Sequence, residues 1–163
     1  MVDHDGDEDH IRSERSFAEM CSEMLIKDFM TKDLVTISEN DSIDQVLDTF
    51  DKYHFHTYPV VNEDNVLVGT IDQNIILKIL LVHRAPQIEH THLNAVVFQG
   101  DTAKTIMIPH PVSISPNETL CDTADMILKH KIDRFCIVED GILVGMICKP
   151  DIIKEVYKLR GSY

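Results

Sequence analysis

Two stretches of the chain carry apolar residues at the three- and four-residue spacing of an amphipathic helix. The first begins at Ser42-x-x-Gln45 and the second at Thr119-x-x-Asp122, and both resemble the capping boxes that start helices. The apolar positions that follow are Ile43, Val46, Leu47 and Phe50 in the first stretch, and Leu120, Ala124, Ile127 and Leu128 in the second. The pattern therefore predicts one helix in each stretch.

Each predicted helix is followed by two short β-rich runs that are joined by turn residues. The runs read TYPVV and VLVGTI in the first half, and FCIV and ILVGMI in the second, where Asp140-Gly141 is a strong hairpin signal. Helical spacing then returns in NIILKILLV and DIIKEVYKL. With LVTI and PVSI as brief leading strands, each half is predicted to have the order β-α-β-β-α.

The two halves are copies of one unit. A shift of 77 places aligns residues 30–61 with residues 107–138 without a gap, and it pairs Met30 with Met107. After the hairpin turn the shift is 76, which pairs Gly69 with Gly145. A unit of about 50 residues buries too little surface to be stable alone. We therefore predict an α/β (α+β) fold in which two repeats pack as one pseudo-twofold module.

The composition outside the repeats suggests a division of the chain into four parts. We expect a disordered acidic head at 1–14, a first repeat with an N-terminal helix at 15–83, a linker at 84–102 and a second repeat at 103–160. The head contains six acidic residues and one arginine, so it offers almost nothing to bury.

Charge and cysteine content narrow the range of partners and compartments. The 163-residue chain has 15 basic and 28 acidic side chains, and a net charge of −13 argues against a nucleic-acid partner. No apolar run approaches the ~18 residues that span a bilayer, and the N-terminus lacks a signal-peptide pattern. We expect a cytoplasmic protein without membrane contact. Because the four cysteines show no C-x-x-C spacing, we also expect reduced thiols.

Few residues outside the repeats suggest a metal site or a catalytic site. The linker contains possible zinc ligands at His83, Glu89, His90 and His92, but their spacing matches no closed zinc site. The head has carboxylates at Asp3, Asp5, Asp7 and Glu14, but Glu8 stands where a calcium loop needs glycine. There is no nucleophile beside a base and no glycine-rich phosphate loop. We therefore expect no metal site, no required cofactor and no catalysis.

The repeated motifs, M-T-x-x-x-V-x-I, then a helix, x-x-P-V-V and G-x-x-x-x-x-D-I, resemble a tandem pair of cystathionine β-synthase (CBS) domains, known as a Bateman module. The resemblance covers about residues 26–159. It implies a regulatory module that binds AMP, ADP, ATP or S-adenosylmethionine in clefts between the repeats. It also implies a homodimer, and a signal passed by conformational change to another protein, which the sequence does not identify.

The same resemblance assigns the main ligand contacts. In such modules the last strand ends in G-h-h-[TS]-x-x-D, where the hydroxyl residue and the aspartate border the ribose and phosphates. The second repeat has Cys148 and Asp151 at these positions, whereas the first has Asp72 and Ile75. A carboxylate can accept hydrogen bonds from both ribose hydroxyls. We therefore expect one competent site, built on Asp151, and one degenerate site.

Further contacts follow from the pseudo-twofold logic of the family. The competent site would take His56, Thr57 and Asn74 from the first repeat. Backbone at Pro111, Val112 and Ser113 would lie at the edge of the adenine. Arg134 would face the degenerate site, which favours AMP or S-adenosylmethionine over ATP at the competent one.

Two alternatives stay open at this stage. Asp151 could serve only as a helix cap, because carboxylates are favoured in the first turn of any helix. The whole module could instead be a structural or protein-interaction module with decayed ligand sites.

Overall fold

The computed structural model describes residues 18–82 and 101–160. Residues 18–23 belong to a helix, α1, and a 3₁₀ turn follows at Ile26–Asp28. The first repeat consists of β1 (Ile37–Ser38), α2 (Ile43–Lys52), β2 (Thr57–Val61), β3 (Leu67–Asp72) and α3 (Gln73–Val82). Next come α4 (Ala103–Ile106) and β4 (Ile108–Pro109), and then the second repeat: β5 (Ser113–Ile114), α5 (Leu120–His130), β6 (Arg134–Glu139), β7 (Ile142–Cys148) and α6 (Lys149–Arg160). The predicted α/β fold and the β-α-β-β-α order of both repeats are confirmed.

The local signals in the sequence work as predicted. Ser42 and Gln45 form a complete capping box at the start of α2, with hydrogen bonds of 3.2 and 2.8 Å. At the start of α5, the Thr119 hydroxyl accepts from the backbone N–H of Asp122 at 3.1 Å. The β6–β7 turn has φ of 52° at Asp140 and 82° at Gly141, the positive values that a tight hairpin turn needs.

The strands form two small sheets. The first has the order β1-β2-β3-β4, in which β1 and β2 are parallel while β2–β3 and β3–β4 are antiparallel. The second has the order β5-β6-β7, with β5 and β6 parallel. The two sheets therefore repeat the same three-strand pattern, and β4 is an addition to the first.

The chain divides into two compact units, each with its own core. The described part of the first-repeat unit comprises residues 33–82, 101–112 and 138–143, and that of the second-repeat unit comprises residues 18–32, 113–137 and 144–160. Each unit thus includes a segment that precedes the other repeat in the sequence.

The core of the first-repeat unit is completed by the segment that leads into the second repeat. Its buried residues are Ile37, Ile43, Val46, Tyr58, Val60, Ile71, Ile76, Ile79, Ala103 and Ile106. The last two come from α4, and β4 then pairs with β3. Gly69 on β3 leaves room for Met107, whose Sδ would lie 2.5 Å from any Cβ built there.

The core of the second-repeat unit is completed in the same way, by residues 18–32. Its buried residues are Cys21, Ile26, Ile114, Leu120, Ile127, Phe135, Ile137, Ile147 and Ile152. Gly145 on β7 leaves room for Met30, as Gly69 does for Met107. The sequence-based division placed the N-terminal helix with the first repeat at 15–83. That division stays a prediction; in the structure, Ile26 and Met30 pack with apolar residues of the second-repeat unit.

The expectation of four reduced cysteines is wrong in the structure. Cys21 and Cys121 form a disulfide, with their Cα atoms 5.6 Å apart and 100 residues apart in sequence. Cys136 and Cys148 are free thiols. Spacing rules did not find this pair because packing, and not proximity along the chain, brings α1 to the start of α5.

Candidate functional site

The second repeat places Asp151 in the first turn of α6, directly after β7. Its Oδ2 atom accepts a hydrogen bond from the backbone N–H of Cys148 at 3.2 Å and another from the Cys148 thiol at 2.7 Å. Burial raises the pKa of the Cys148 thiol, and the hydrogen bond to Asp151 raises it further. The thiol therefore stays protonated and donates to the carboxylate, so Asp151 caps the helix that carries it.

The first repeat uses an aspartate at the other end of the same turn. Asp72, which aligns with Cys148, accepts a hydrogen bond through Oδ1 from the backbone N–H of Ile75 at 2.9 Å. Ile75 aligns with Asp151. The two repeats thus cap equivalent helices with carboxylates at opposite positions of one four-residue turn. The aspartate exchange that the sequence reveals has a structural role in both repeats.

The residues just before β2 and β6 contact the first residue of the helix that follows each hairpin. His56 Nδ1 lies 2.9 Å from Oε1 of Gln73, and the backbone N–H of Gln73 donates to the His56 carbonyl at 3.0 Å. In the second repeat, Lys149 Nζ lies 2.8 Å from an Asp133 carboxylate oxygen, and the matching backbone bond is 2.9 Å. The backbone contact is shared between the repeats, whereas the side-chain pair is His56 with Gln73 in one and the ion pair of Asp133 with Lys149 in the other.

Sequence reasoning missed Gln73 and Lys149 as members of these clusters. The signal that could have found them is their alignment, because a shift of 76 pairs the two residues at the start of equivalent helices. Both lie one residue after the positions that the family motif assigns to the ribose. Gln73 brings an amide to the start of α3, and Lys149 brings an ammonium group to the equivalent position of α6.

Arg134 begins β6, at the end of the sheet where β7 finishes. Its positive charge acts to lower the pKa of the Cys148 thiol, although burial and Asp151 outweigh it. The hairpin turn at Asp140-Gly141 brings the start of β6 to the end of β7, the strand that leads to Cys148. The sequence-based assignment of Arg134 to the degenerate site stays a prediction.

The remaining predicted contacts fall at several places. Thr57 begins β2 opposite Asp72, and Asn74 is exposed in the first turn of α3. Val112 is 42% exposed, and Pro111 is partly buried. Ser113, the first residue of β5, is exposed.

The nine predicted site residues divide between the two units. Asp151, Cys148, Arg134 and Ser113 belong to the second-repeat unit, and His56, Thr57, Asn74, Pro111 and Val112 belong to the first-repeat unit. Within the second-repeat unit, the structure brings Asp151 and Cys148 together through two hydrogen bonds. That residues of both groups contact one ligand stays a prediction.

In residues 18–82 and 101–160, no group of three or more His, Cys, Asp or Glu side chains could hold a metal ion. The candidate ligands His83, Glu89, His90 and His92, like the carboxylates of the head, lie outside this range. No helix in the same range combines the length and apolar character needed to cross a membrane.

Comparison with known proteins places this architecture in a family. The model of the CBS domain matches residues 26–82 and again residues 103–158. The chain is 31% identical over 154 residues to the uncharacterized protein MJ1426 of Methanocaldococcus jannaschii, which covers 82% of this chain and 91% of that protein. The chain therefore belongs to the CBS domain family and contains a tandem pair of CBS domains.

Solved structures with ligands share the fold. CBSX2 of Arabidopsis thaliana in complex with AMP has a TM-score of 0.70 at 22% identity, over 84% of this chain and 98% of that chain. The CBS domain of a bacterial CNNM/CorC family Mg²⁺ transporter in complex with ATP has a TM-score of 0.67 at 18% identity, over 91% of this chain and 97% of that chain. These two proteins, which share the fold, thus each bind an adenine nucleotide.

Proposed function

We propose that this protein is a regulatory module that binds an adenosine-containing ligand, namely AMP, ADP, ATP or S-adenosylmethionine, and passes a conformational signal to another protein. The observation that carries the proposal is the Asp151 carboxylate at the start of α6. Both of its hydrogen bonds to Cys148 use Oδ2. The other oxygen, Oδ1, is the acceptor that we assign to the ribose hydroxyls.

The position of Asp151 suits this task for two physical reasons. The carboxylate is only partly buried, so a ligand can reach it without a large rearrangement. Two hydrogen bonds at 3.2 and 2.7 Å fix its orientation, so the entropic cost of binding a ribose is lower. Charge-assisted hydrogen bonds of this kind are about twice as strong as neutral ones.

The local charges favour a ligand with few phosphates. Lys149, two residues before Asp151, already pairs with Asp133 at 2.8 Å, and Arg134 is proposed to face the degenerate site. A net charge of −13 on the chain opposes a polyphosphate. AMP or S-adenosylmethionine therefore fits this site better than ATP. CBSX2, which shares the fold, has been solved with AMP.

The first repeat is proposed to be the degenerate half. Ile75 supplies no acceptor for a ribose, and Asp72 is used to cap α3 through the Ile75 backbone N–H. We expect one ligand per chain. His56, Thr57, Asn74 and the backbone at Pro111, Val112 and Ser113 stay proposed contacts of that single ligand.

Thermal-shift screening of the full chain against AMP, ADP, ATP and S-adenosylmethionine tests the proposal. A ligand at 100 times its dissociation constant stabilises the folded state by about 2.7 kcal/mol. For a chain of this size we expect a rise in Tm of roughly 5–10 °C. The absence of a shift in Tm with all four ligands would contradict the proposal.

A structural or protein-interaction module is the second candidate. It is favoured by the hydrogen bond from the Cys148 thiol, which gives the Asp151 carboxylate a structural use that needs no ligand. The same screen separates the two candidates, because a module with decayed sites would respond to none of the nucleosides.

The wider role is also a proposal. We propose a cytoplasmic, non-catalytic regulator that needs no cofactor and forms a homodimer through α3 and α6. Both helices expose apolar side chains in their own units: Leu77, Leu80 and Leu81 on α3, and Ile153 and Tyr157 on α6. Tyr157 is 76% exposed and Ile153 is 58% exposed. Such faces are typical of surfaces that another chain covers.

A further inference from the structure

The disulfide joins two parts of the second-repeat unit that are far apart in sequence. Cys21 lies on α1 and is 5% exposed, and Cys121 is the second residue of α5 and is partly buried. The first repeat has Asp44 at the position equivalent to Cys121. A covalent link of this kind is therefore a feature of the second repeat, and it ties down the segment that precedes the first repeat.

Directly after Cys21, the chain adds to the second-repeat unit through backbone hydrogen bonds. Ile26 N–H donates to the Glu118 carbonyl at 2.9 Å, and Leu120 N–H donates to the Met24 carbonyl at 2.9 Å. The Ile26 side chain is fully buried. These contacts lie at the start of α5, next to Cys121, so the disulfide and the first backbone contacts of the segment lie at the same place.

The same segment then reaches β7, the strand that leads to Asp151. Thr31 and Met146 exchange two backbone hydrogen bonds, both of 2.9 Å, and the Met30 side chain lies over Gly145. Cys148, which donates to Asp151, is only two residues beyond Met146. Residues 24–31 therefore connect the disulfide at one end to the edge of β7 at the other.

We propose that the Cys21–Cys121 disulfide is a redox-controlled clasp that sets how firmly residues 24–31 are held against β7. When the bond is intact, opening of the segment is restricted because α1 cannot leave α5. When the bond is reduced, the backbone hydrogen bonds and the burial of Ile26 hold the segment alone, so local opening becomes more frequent.

The chemistry is a thiol–disulfide exchange. A thiolate of a dithiol reductant attacks the sulfur of partly buried Cys121, the Sγ–Sγ bond breaks, and Cys21 leaves as a thiolate that takes up a proton. The second thiol of the reductant then attacks the mixed disulfide and releases Cys121. Two electrons pass to the two cysteines, and the reductant becomes a disulfide. A disulfide oxidant such as glutathione disulfide reverses the reaction.

The other two thiols are poor competitors for this exchange. Cys136 is 3% exposed, and burial raises its pKa to about 11. Burial and Asp151 also raise the pKa of the Cys148 thiol. Because only the thiolate attacks a disulfide, both stay largely unreactive near neutral pH. The exchange is thus directed to the Cys21–Cys121 pair.

Hydrogen exchange of the full chain tests the clasp. The protein is oxidised with glutathione disulfide, and one half is then reduced with dithiothreitol. Alkylation after denaturation should label two cysteines in the oxidised sample and all four after reduction. Reduction should speed amide exchange in residues 24–31 and at Met146 about tenfold or more, and leave β2 and β3 in the first-repeat unit unchanged.

Cysteine variants test whether the response to dithiothreitol comes from the Cys21–Cys121 disulfide. Cys121→Ser should exchange like the reduced protein in both buffers, and Cys21→Ser/Cys121→Ser should show no response to dithiothreitol. Labelling of four cysteines after oxidation would overturn the proposal, as would equal exchange of residues 24–31 in the oxidised and reduced samples. A response to dithiothreitol in the double variant would also overturn it. The experiment contains no nucleotide, so its outcome is independent of the proposed ligand.

Discussion

The thioether of Met30 occupies the space that a side chain on Gly145 would need. A Cβ built on Gly145 would lie 2.5 Å from Met30 Sδ and 3.1 Å from the Thr31 carbonyl oxygen. Met107 has the same relationship to Gly69, where the backbone oxygen of Ile108 is closer still, at 2.8 Å. Each methionine precedes one repeat in the sequence and packs on the last strand of the other. These contacts are the points at which each unit accepts its added segment.

Replacing either glycine should destabilise the protein to different extents. We expect Gly145→Ala to lower the free energy of unfolding by about 1–2 kcal/mol, because the flexible Met30 side chain can shift. Gly69→Ala should cost roughly 1–2 kcal/mol more, because the backbone at Ile108 must also move away from β3. Urea denaturation measures both, and Met30→Ala combined with Gly145→Ala should recover part of the loss. Equal losses for the two glycine variants would contradict this account.

Asp151 and Asp72 form a matched pair for separating helix capping from ligand binding. Each variant, Asp151→Ala and Asp72→Ala, should lose about 1 kcal/mol of stability, because each removes a carboxylate that accepts at a helix start. Only Asp151→Ala should weaken AMP binding, by at least about tenfold, since a charge-assisted hydrogen bond contributes roughly 1.5–3 kcal/mol. Calorimetric titration and thermal denaturation measure the two effects. If AMP affinity is unchanged in both variants, Asp151 is only a cap.

The buried thiol of Cys136 should make stability depend on alkaline pH. Burial raises its pKa from 9.0 to about 11, slightly offset by the charge of Arg134. The folded state therefore holds this proton more tightly than the unfolded state. The protonated Cys136 thiol therefore adds up to roughly 3 kcal/mol to the free energy of unfolding. This contribution is fully present below about pH 9 and is lost as the pH rises towards 11. Urea denaturation at several pH values measures this loss. In the control variant Cys136→Ala, the free energy of unfolding should not fall with pH in this way.

The side chain of Thr123 is fully buried in α5, and its hydroxyl has no hydrogen-bond partner among the described residues. The equivalent residue in the first repeat is Val46, which is also fully buried. We expect Thr123→Val to stabilise the protein by about 1–2 kcal/mol, because an unsatisfied buried hydroxyl is removed. The reciprocal change, Val46→Thr, should destabilise it by a similar amount. A loss of stability in Thr123→Val, measured by thermal denaturation, would show that the hydroxyl has a partner in solution.

The proposed homodimer can be tested at the exposed apolar faces. Leu80→Glu on α3 and Tyr157→Glu on α6 should each weaken self-association, because a charge would be buried in the interface. Leu128→Glu is the matched control, since Leu128 is 73% exposed but lies on α5. Sedimentation at micromolar concentration distinguishes the dimer from the 18.6 kDa chain. A wild-type protein that sediments only as a monomer would contradict the proposal.

Much of the local structure was predictable because it depends on residues a few positions apart. The capping box at Ser42 and Gln45 spans a single turn, and the hairpin at Asp140-Gly141 needs only two residues with positive φ. The repeat then predicted the same order of elements twice. The alignment of Asp72 with Cys148 also showed that an aspartate had changed position within one turn.

The sequence by itself determined the family, the two repeats and the residues at each helix start, because periodicity and short-range hydrogen bonding are written along the chain. Only the tertiary structure decided that residues 18–32 complete the second-repeat unit and that Cys21 bonds to Cys121, 100 residues away. These relationships depend on which apolar surfaces meet after the chain folds back on itself. A linear pattern shows that Met30 and Gly145 are suited to packing, but the closeness of β7 to residues 30–31 makes them partners.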